Sequence, residues 1–241
     1  MKLSSKTTFA AILATIFALL NAQAGESDLI QPLIPAVKQA IGEFGRIDPA
    51  RKSELQQAAA FIRGRMEQGK SADVTFICTA NSRRSHLSQI WAQTAVAYYG
   101  LSNVATYSGG TEVAACNIRT IRTLRRAGFS IVQSTGGMNP VYLAQYSDTR
   151  PAVKMYSKVF FTEENPQKDF AALFCCDQAA GSCPVVKGAA LRLQIPYVDP
   201  IASDNSPAEE ATYDERSRQI AREMFYLMSA VKGGTGARAS R

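Results

Sequence analysis

The chain has 241 residues, with 27 Lys and Arg against 20 Asp and Glu, a formal net charge of +7 and a single His. That length suits one domain with extensions, and a content of 46% hydrophobic and 20% charged residues is globular, which argues against wholesale disorder. One histidine argues against a Ser-His-Asp hydrolase or a His-rich metal enzyme, and the five cysteines are too few and too clustered for a disulfide-stapled miniprotein.

Lys2 and Lys6 precede an apolar run from Phe9 to Leu20, followed by Asn21-Ala22-Gln23-Ala24-Gly25. A basic start, a short apolar core and an Ala-x-Ala site predict a signal peptide over residues 1–24, cleaved near Ala24, and hence an exported protein, periplasmic or secreted. The run falls short of the ~20 residues that a spanning helix needs, so stable membrane insertion is not expected. Residues 25–70 read as an N-terminal helical extension. Apolar spacing from Leu29 to Phe44 predicts a short helix, and Asp48 as N-cap before Pro49 opens a second one that reaches Gln68.

From 71 to 232 strands and helices alternate. Asp73–Cys78 is rich in β-branched and aromatic residues and reads as a buried strand, followed by a helix over Ser85–Tyr99 that Gly100 ends. Val104–Tyr107 predicts a second strand, Ser108-Gly109-Gly110 a turn, and Asn117–Ala127 a helix stopped by Gly128. Phe170–Cys176 and part of Leu191–Val198 predict two more strands. Glu209–Lys232 predicts a last helix with Ile220, Met224, Phe225 and Met228 on its apolar side. The expected fold class is therefore α/β, a small parallel sheet of about four strands with helices on both faces. Residues 134–168 interrupt the pattern, and Val141–Tyr146 with Val153–Phe161 suggest an inserted hairpin. Residues 233–241 read as a disordered tail. Arg119, Arg122, Arg125 and Arg126 recur at helical spacing, as on a solvated helix face, and without interleaved aromatics they do not indicate nucleic-acid binding.

The informative segment is Cys78-Thr79-Ala80-Asn81-Ser82-Arg83-Arg84-Ser85, between a strand and a helix start. Five residues separate the thiol from Arg84, enough for a loop that wraps its backbone N–H groups around one tetrahedral oxyanion. The helix N-terminus adds its dipole, and Arg84 adds a forked pair of donors. The same positive field favours the thiolate at Cys78, a nucleophile beneath a bound anion. A small buried cysteine closing a strand is the bland alternative, but the strand-to-helix placement favours function.

These residues resemble the low-molecular-weight protein tyrosine phosphatase superfamily, which includes the thioredoxin-coupled arsenate reductases. Tyr107-Ser108-Gly109-Gly110-Thr111-Glu112, the helix from Asn117 and Val198-Asp199-Pro200 extend the resemblance from about Asp73 to about Lys232. It implies Cys78 as nucleophile and Arg84 as oxyanion ligand within a binding loop of Thr79, Ala80, Asn81, Ser82, Arg83, Arg84 and Ser85. It also implies Asn81 as a brace, Ser85 as the thiolate's partner and Asp199 as general acid.

Cys175-Cys176 and, further on, Cys183-Pro184 resemble the arsenate reductase branch, in which Cys176 and Cys183 would relay a disulfide outward from Cys78 to a thioredoxin-like reductant. That branch is the leading expectation. Arsenate is then the substrate and no cofactor is bound. The alternative is a secreted phosphatase that hydrolyses phosphoesters through Cys78, Arg84 and Asp199 alone, with Cys176 and Cys183 as a structural bridge. A non-catalytic oxyanion-binding module is the third reading. No metal site is expected, since Cys116, Cys175, Cys176 and Cys183 lack paired spacing. Cys116 is expected to be inert and His86 partly exposed. Ala80 stands where the superfamily usually has glycine and Arg83 where it has cysteine, which adds charge near the mouth.

Overall fold

Asp48 opens the longest N-terminal helix by accepting the Ala50 N–H on its carboxylate at 2.8 Å, with Pro49 preset at the first helical position. In the computed structural model, which describes residue 26, residues 28–176 and residues 186–236, this helix is α2 (Pro49–Glu67). It follows α1 (Ile34–Gly42), which short 3-10 turns flank on both sides. The expected signal peptide and Cys183 lie outside the described residues.

The main sheet is built from β1 (Ala72–Cys78), β2 (Val104–Gly110), β6 (Phe170–Phe174) and β7 (Ala189–Gln194), all parallel, in the order β2-β1-β6-β7. β1 is central because nearly every residue in it can be buried on either face: Val74, Phe76 and Ile77 are wholly inaccessible. α3 (Arg84–Tyr98) packs on β1 and β2, and α2 packs on β1 and β7. α5 (Glu209–Gly236) lies against α1, α2, α3 and α4 (Ile118–Arg126). Ile220, Met224, Phe225 and Met228 are fully buried on it, as their spacing predicts. Trp91 joins α3 to this core, stacking edge-on to Phe129 and Phe225 and donating its indole N–H to Ser217 at 2.9 Å. A four-stranded parallel α/β sheet with packed helices, N-terminal helices and an inserted β segment is the architecture expected.

Four local expectations are corrected. Ser108-Gly109-Gly110 is not a turn: β2 runs on through it, pairing these residues with Phe76, Ile77 and Cys78. The glycines are there for close approach, since a Cβ on Gly109 would lie 2.3 Å from the Phe160 Cα and one on Gly110 2.5 Å from the Thr79 carbonyl oxygen. The inserted hairpin is present but enlarged to a three-stranded antiparallel sheet, because a strand that precedes it joins its edge. β3 (Ser130–Gln133), β4 (Tyr142–Gln145) and β5 (Val153–Met155) pair in the order β3-β4-β5. The second expected strand stops at Met155 because residues beyond it turn back to the main sheet, where Val159 bridges to Gly110. At the other end α5 continues to Gly236, so 233–236 are helical where a tail was expected. The arginine face of α4 is tied down: Arg126 holds Asp214 and Glu210, and Arg119 holds Asp204 and Glu209. Acids before and at the start of α5 make the difference, and sequence spacing on α4 alone does not reveal them.

Candidate active site

The loop between β1 and α3 turns its carbonyls outward. Cys78 O accepts from Thr111 N at 3.2 Å, Thr79 O from Glu112 N at 3.0 Å, Ala80 O from Ser157 Oγ at 2.8 Å and Ser82 O from Asn117 N at 3.0 Å. In a planar trans peptide the next N–H points opposite to its carbonyl. Anchoring these four oxygens in the surrounding protein therefore aims the N–H groups of Thr79, Ala80, Asn81 and Arg83 away from it, toward the inside of the loop. The result is a backbone nest at a helix N-terminus.

Asn81 makes this curvature possible. It takes the left-handed conformation (φ 43°), which asparagine tolerates better than most residues, and Ala80 is not among the residues of positive φ. The Ala80 side chain thus meets no backbone penalty at a position where glycine is usual. The Asn81 amide donates to Ser85 Oγ at 2.8 Å, and its carbonyl oxygen accepts Lys158 N at 3.1 Å. Ser85 Oγ stands 3.1 Å from Cys78 Sγ. Asn81, Ser85 and Cys78 are therefore joined in one run of polar contacts.

Cys78, only 3% exposed, lines a cavity of about 660 Å³ together with Arg84, Asp199 and Cys176. Arg84 is buried and donates to the Tyr197 carbonyl at 3.1 Å and to Asp199 Oδ2 at 2.8 Å. Its Nε is buried without a partner among the described residues. Asp199 also caps the 3-10 turn Pro200–Ser203 by accepting Ile201 N at 3.2 Å, so the bland role of a turn residue before proline coexists with its place in the cavity. Val198 and Ile201 leave apolar surface at the mouth.

Arg83 does more than add charge to the rim. Its Nε donates to Asp199 Oδ1 at 2.7 Å and its terminal nitrogen to Oδ2 at 3.3 Å. Burial works against its charge, but the Asp199 carboxylate more than offsets this and holds the guanidinium above its ordinary range. Two arginines thus share one carboxylate.

The cysteines separate as strand alternation predicts. Cys175 is inaccessible and faces Ser88 Oγ at 3.4 Å, and burial pushes its thiol well above the usual range. Cys176 turns the other way, to Thr79 Oγ1 at 3.6 Å, and lines the same cavity as Cys78. Cys116 is buried with its thiol pushed up to about 12, which keeps it protonated. Ser157 and Lys158, which hold the loop from the inserted segment, were not anticipated: no local pattern couples them to residues so far back in the chain.

His86 corrects another expectation, for it is wholly buried beneath the loop rather than partly exposed. Its Nδ1 lies 3.4 Å from Ser108 Oγ. Burial, with the Lys158 charge nearby, lowers its pKa from the ordinary 6.5 to about 3, so the ring is neutral in the folded protein. In the unfolded chain it takes a proton below 6.5. The favourable contribution of the neutral ring is therefore complete above pH 6.5 and declines as pH falls from there toward 3. Urea unfolding between pH 7 and 4 should show a falling stability that is shallower in His86→Gln; identical slopes would contradict this placement.

Among solved structures, the chain is similar to a YwlE mutant from Bacillus subtilis, at 14% identity over 67% of this chain and 99% of that one (TM-score 0.44). A low molecular weight protein tyrosine phosphatase from Bacillus subtilis follows at 15% identity, 67% and 97% coverage and TM-score 0.45. One from T. tengcongensis follows at 15%, 66% and 99% and 0.43. No curated protein sequence matches the chain. Residues 73–146, which span the cysteine loop, the glycine-bearing strand β2 and α4, match the family described as low molecular weight phosphotyrosine protein phosphatase, and it is to that family that the anion-loop segment of this chain is similar.

Proposed function

We propose that this protein is a cysteine-dependent phosphatase acting on phosphoesters through a phosphocysteine at Cys78. The observation that carries the reading is the nest itself, with four carbonyls tied outward, Cys78 Sγ beside Ser85 Oγ, and Arg84 and Asp199 on the same cavity. In the first step the Cys78 thiolate attacks phosphorus and the ester P–O bond breaks. The leaving oxygen takes a proton from Asp199, which enters this step in its acid form, with Arg84 drawn to the phosphoryl oxygens, and leaves it as the carboxylate. In the second step water attacks phosphorus, gives its proton to Asp199, and releases phosphate and the thiolate. The nest and Arg84 hold the equatorial oxygens, whose charge they meet in the transition state.

Arsenate reduction is the second reading, favoured by Cys176 lining the cavity of Cys78. There Cys78 forms a sulfur–arsenic bond with loss of water, and Cys176 attacks Cys78 sulfur. The S–As electron pair goes to arsenic, which leaves as arsenite, and the two thiols become a disulfide that Cys183 and an external dithiol reductant would carry away. Cys176→Ser separates the two readings. The phosphatase reading expects aryl phosphate turnover within about threefold of wild type and no arsenite formed from arsenate with a thioredoxin present in either protein. Arsenite production by the wild type that the variant loses would overturn it in favour of the reductase. The leader motif supports export, and fractionation of expressing cells tests it.

A further inference from the structure

The loop that carries Asp199 is held from outside the matched segment. Residues 195–199 have no regular structure of their own, yet they present both the Tyr197 carbonyl to Arg84 and the Asp199 carboxylate to the cavity. Arg51, in the first turn of α2, reaches this loop. It donates to the Pro196 carbonyl at 2.7 Å, and its guanidinium lies over the Tyr197 ring, 5.6 Å from the centroid. The same group stands 3.5 Å from Glu223 Oε2, and Tyr197 donates its hydroxyl to that carboxylate at 2.9 Å. Glu54 on α2 takes the remaining arm of Arg51 at 2.8 Å.

One side chain of the N-terminal extension therefore grips the backbone, the ring and the buried counter-ion of the residue pair that seats Arg84. Glu223 is buried, and its removal from water pushes its carboxyl up while Arg51 works against that rise. Without Arg51 the loop keeps the backbone bonds from Ile195 N to the Phe174 carbonyl (2.8 Å) and from Tyr197 N to the Cys175 carbonyl (2.9 Å), the Tyr197–Glu223 bond and the contacts of Arg83 and Arg84. It loses the ties that fix it to α2. A displacement of about 1 Å at such a site costs on the order of 10²-fold in rate.

We infer that Arg51 is a positioning residue for the anion site, so that the N-terminal helical extension is a working part of the active site; this rests on the phosphatase reading for its kinetic consequence only. The experiment compares Arg51→Ala and Arg51→Lys with Arg63→Ala, whose guanidinium ties the same helix to the Ala230 carbonyl at 2.8 Å far from the loop. Inorganic phosphate affinity by calorimetry and kcat and KM on an aryl phosphate are measured well below each variant's Tm. Arg51→Ala should lose about 10- to 100-fold in kcat/KM and bind phosphate about fivefold more weakly, with Arg51→Lys between it and wild type. Arg63→Ala should lower Tm and leave both quantities unchanged.

Phosphate affinity and kcat within twofold of wild type in Arg51→Ala, beside a lowered Tm, would overturn the inference. If that variant does not fold, the same result in Arg51→Lys overturns it. A wild type that binds phosphate but turns nothing over refutes the phosphatase reading alone, and the phosphate affinity of the Arg51 variants still decides this one. A wild type that binds no phosphate overturns both.

Discussion

Cys78→Ser should abolish turnover of an aryl phosphate, by a factor on the order of 10⁴ or more, while inorganic phosphate still binds. A hydroxyl in place of the thiol sits in the same nest but is a far weaker nucleophile at neutral pH, and its side-chain partner among the described residues is another hydroxyl, Ser85 Oγ at 3.1 Å. Among the described groups near the loop the single His is neutral and wholly buried, so it is not placed to serve as a base for serine. Binding survives because the N–H groups and Arg84 are untouched. Rapid quench with labelled substrate should trap a phosphorylated Cys78 in wild type and none in the variant. Residual kcat within tenfold of wild type would remove Cys78 from the chemistry, and loss of phosphate binding would mean that the substitution had collapsed the nest.

Arg84→Lys should lower kcat/KM by about 10²–10³-fold although the charge is retained. The wild-type guanidinium makes two directed contacts at once, to the Tyr197 carbonyl and to Asp199. A lysine ammonium can hold one of these positions at a time and cannot present a planar pair to two oxyanion oxygens. Asp199 would remain paired with Arg83, so the acid stays in place and the deficit reports the oxyanion contact. Steady-state kinetics with parallel phosphate titration checks this: both kcat and affinity should fall, and a loss under fivefold would assign the anion to the backbone nest alone.

The shared carboxylate ties the loop of Arg83 and Arg84 to the loop of Asp199. Asp199 accepts from both guanidiniums in the structure described, and each of the three groups is mostly shielded from solvent. Partly buried ion pairs of this kind hold geometry more than they add stability. The substitution of arginine at a position where the resembling superfamily has cysteine is thus accommodated by the acid loop.

How far the chain alone could be read follows from the range of the interactions. Strand β1, helix α3 and the anion loop between them were legible because each depends on neighbours within a few residues: a β-branched run, a helix start, and a thiol and an arginine five residues apart. The α2 N-cap and the buried face of α5 were legible for the same reason. Ser108–Gly110 was misread since glycine-rich composition signals a turn, whereas here glycine is required by the backbone of Phe160 pressing on the strand from fifty residues away. His86 reads as a partly exposed helix residue, yet it is wholly buried, and the inserted segment covers the loop it sits under.

Only the folded chain decided which charges meet. Arg83 and Asp199, Arg51 and Pro196, Ser157 and Ala80, and Lys158 and Asn81 are all pairs whose separation along the chain exceeds any local period. Their meeting is set by how the sheet and helices pack, since directional bonds between distant residues leave no trace in spacing. The cysteine–arginine loop was written locally; the support that holds it in register is a property of the tertiary structure.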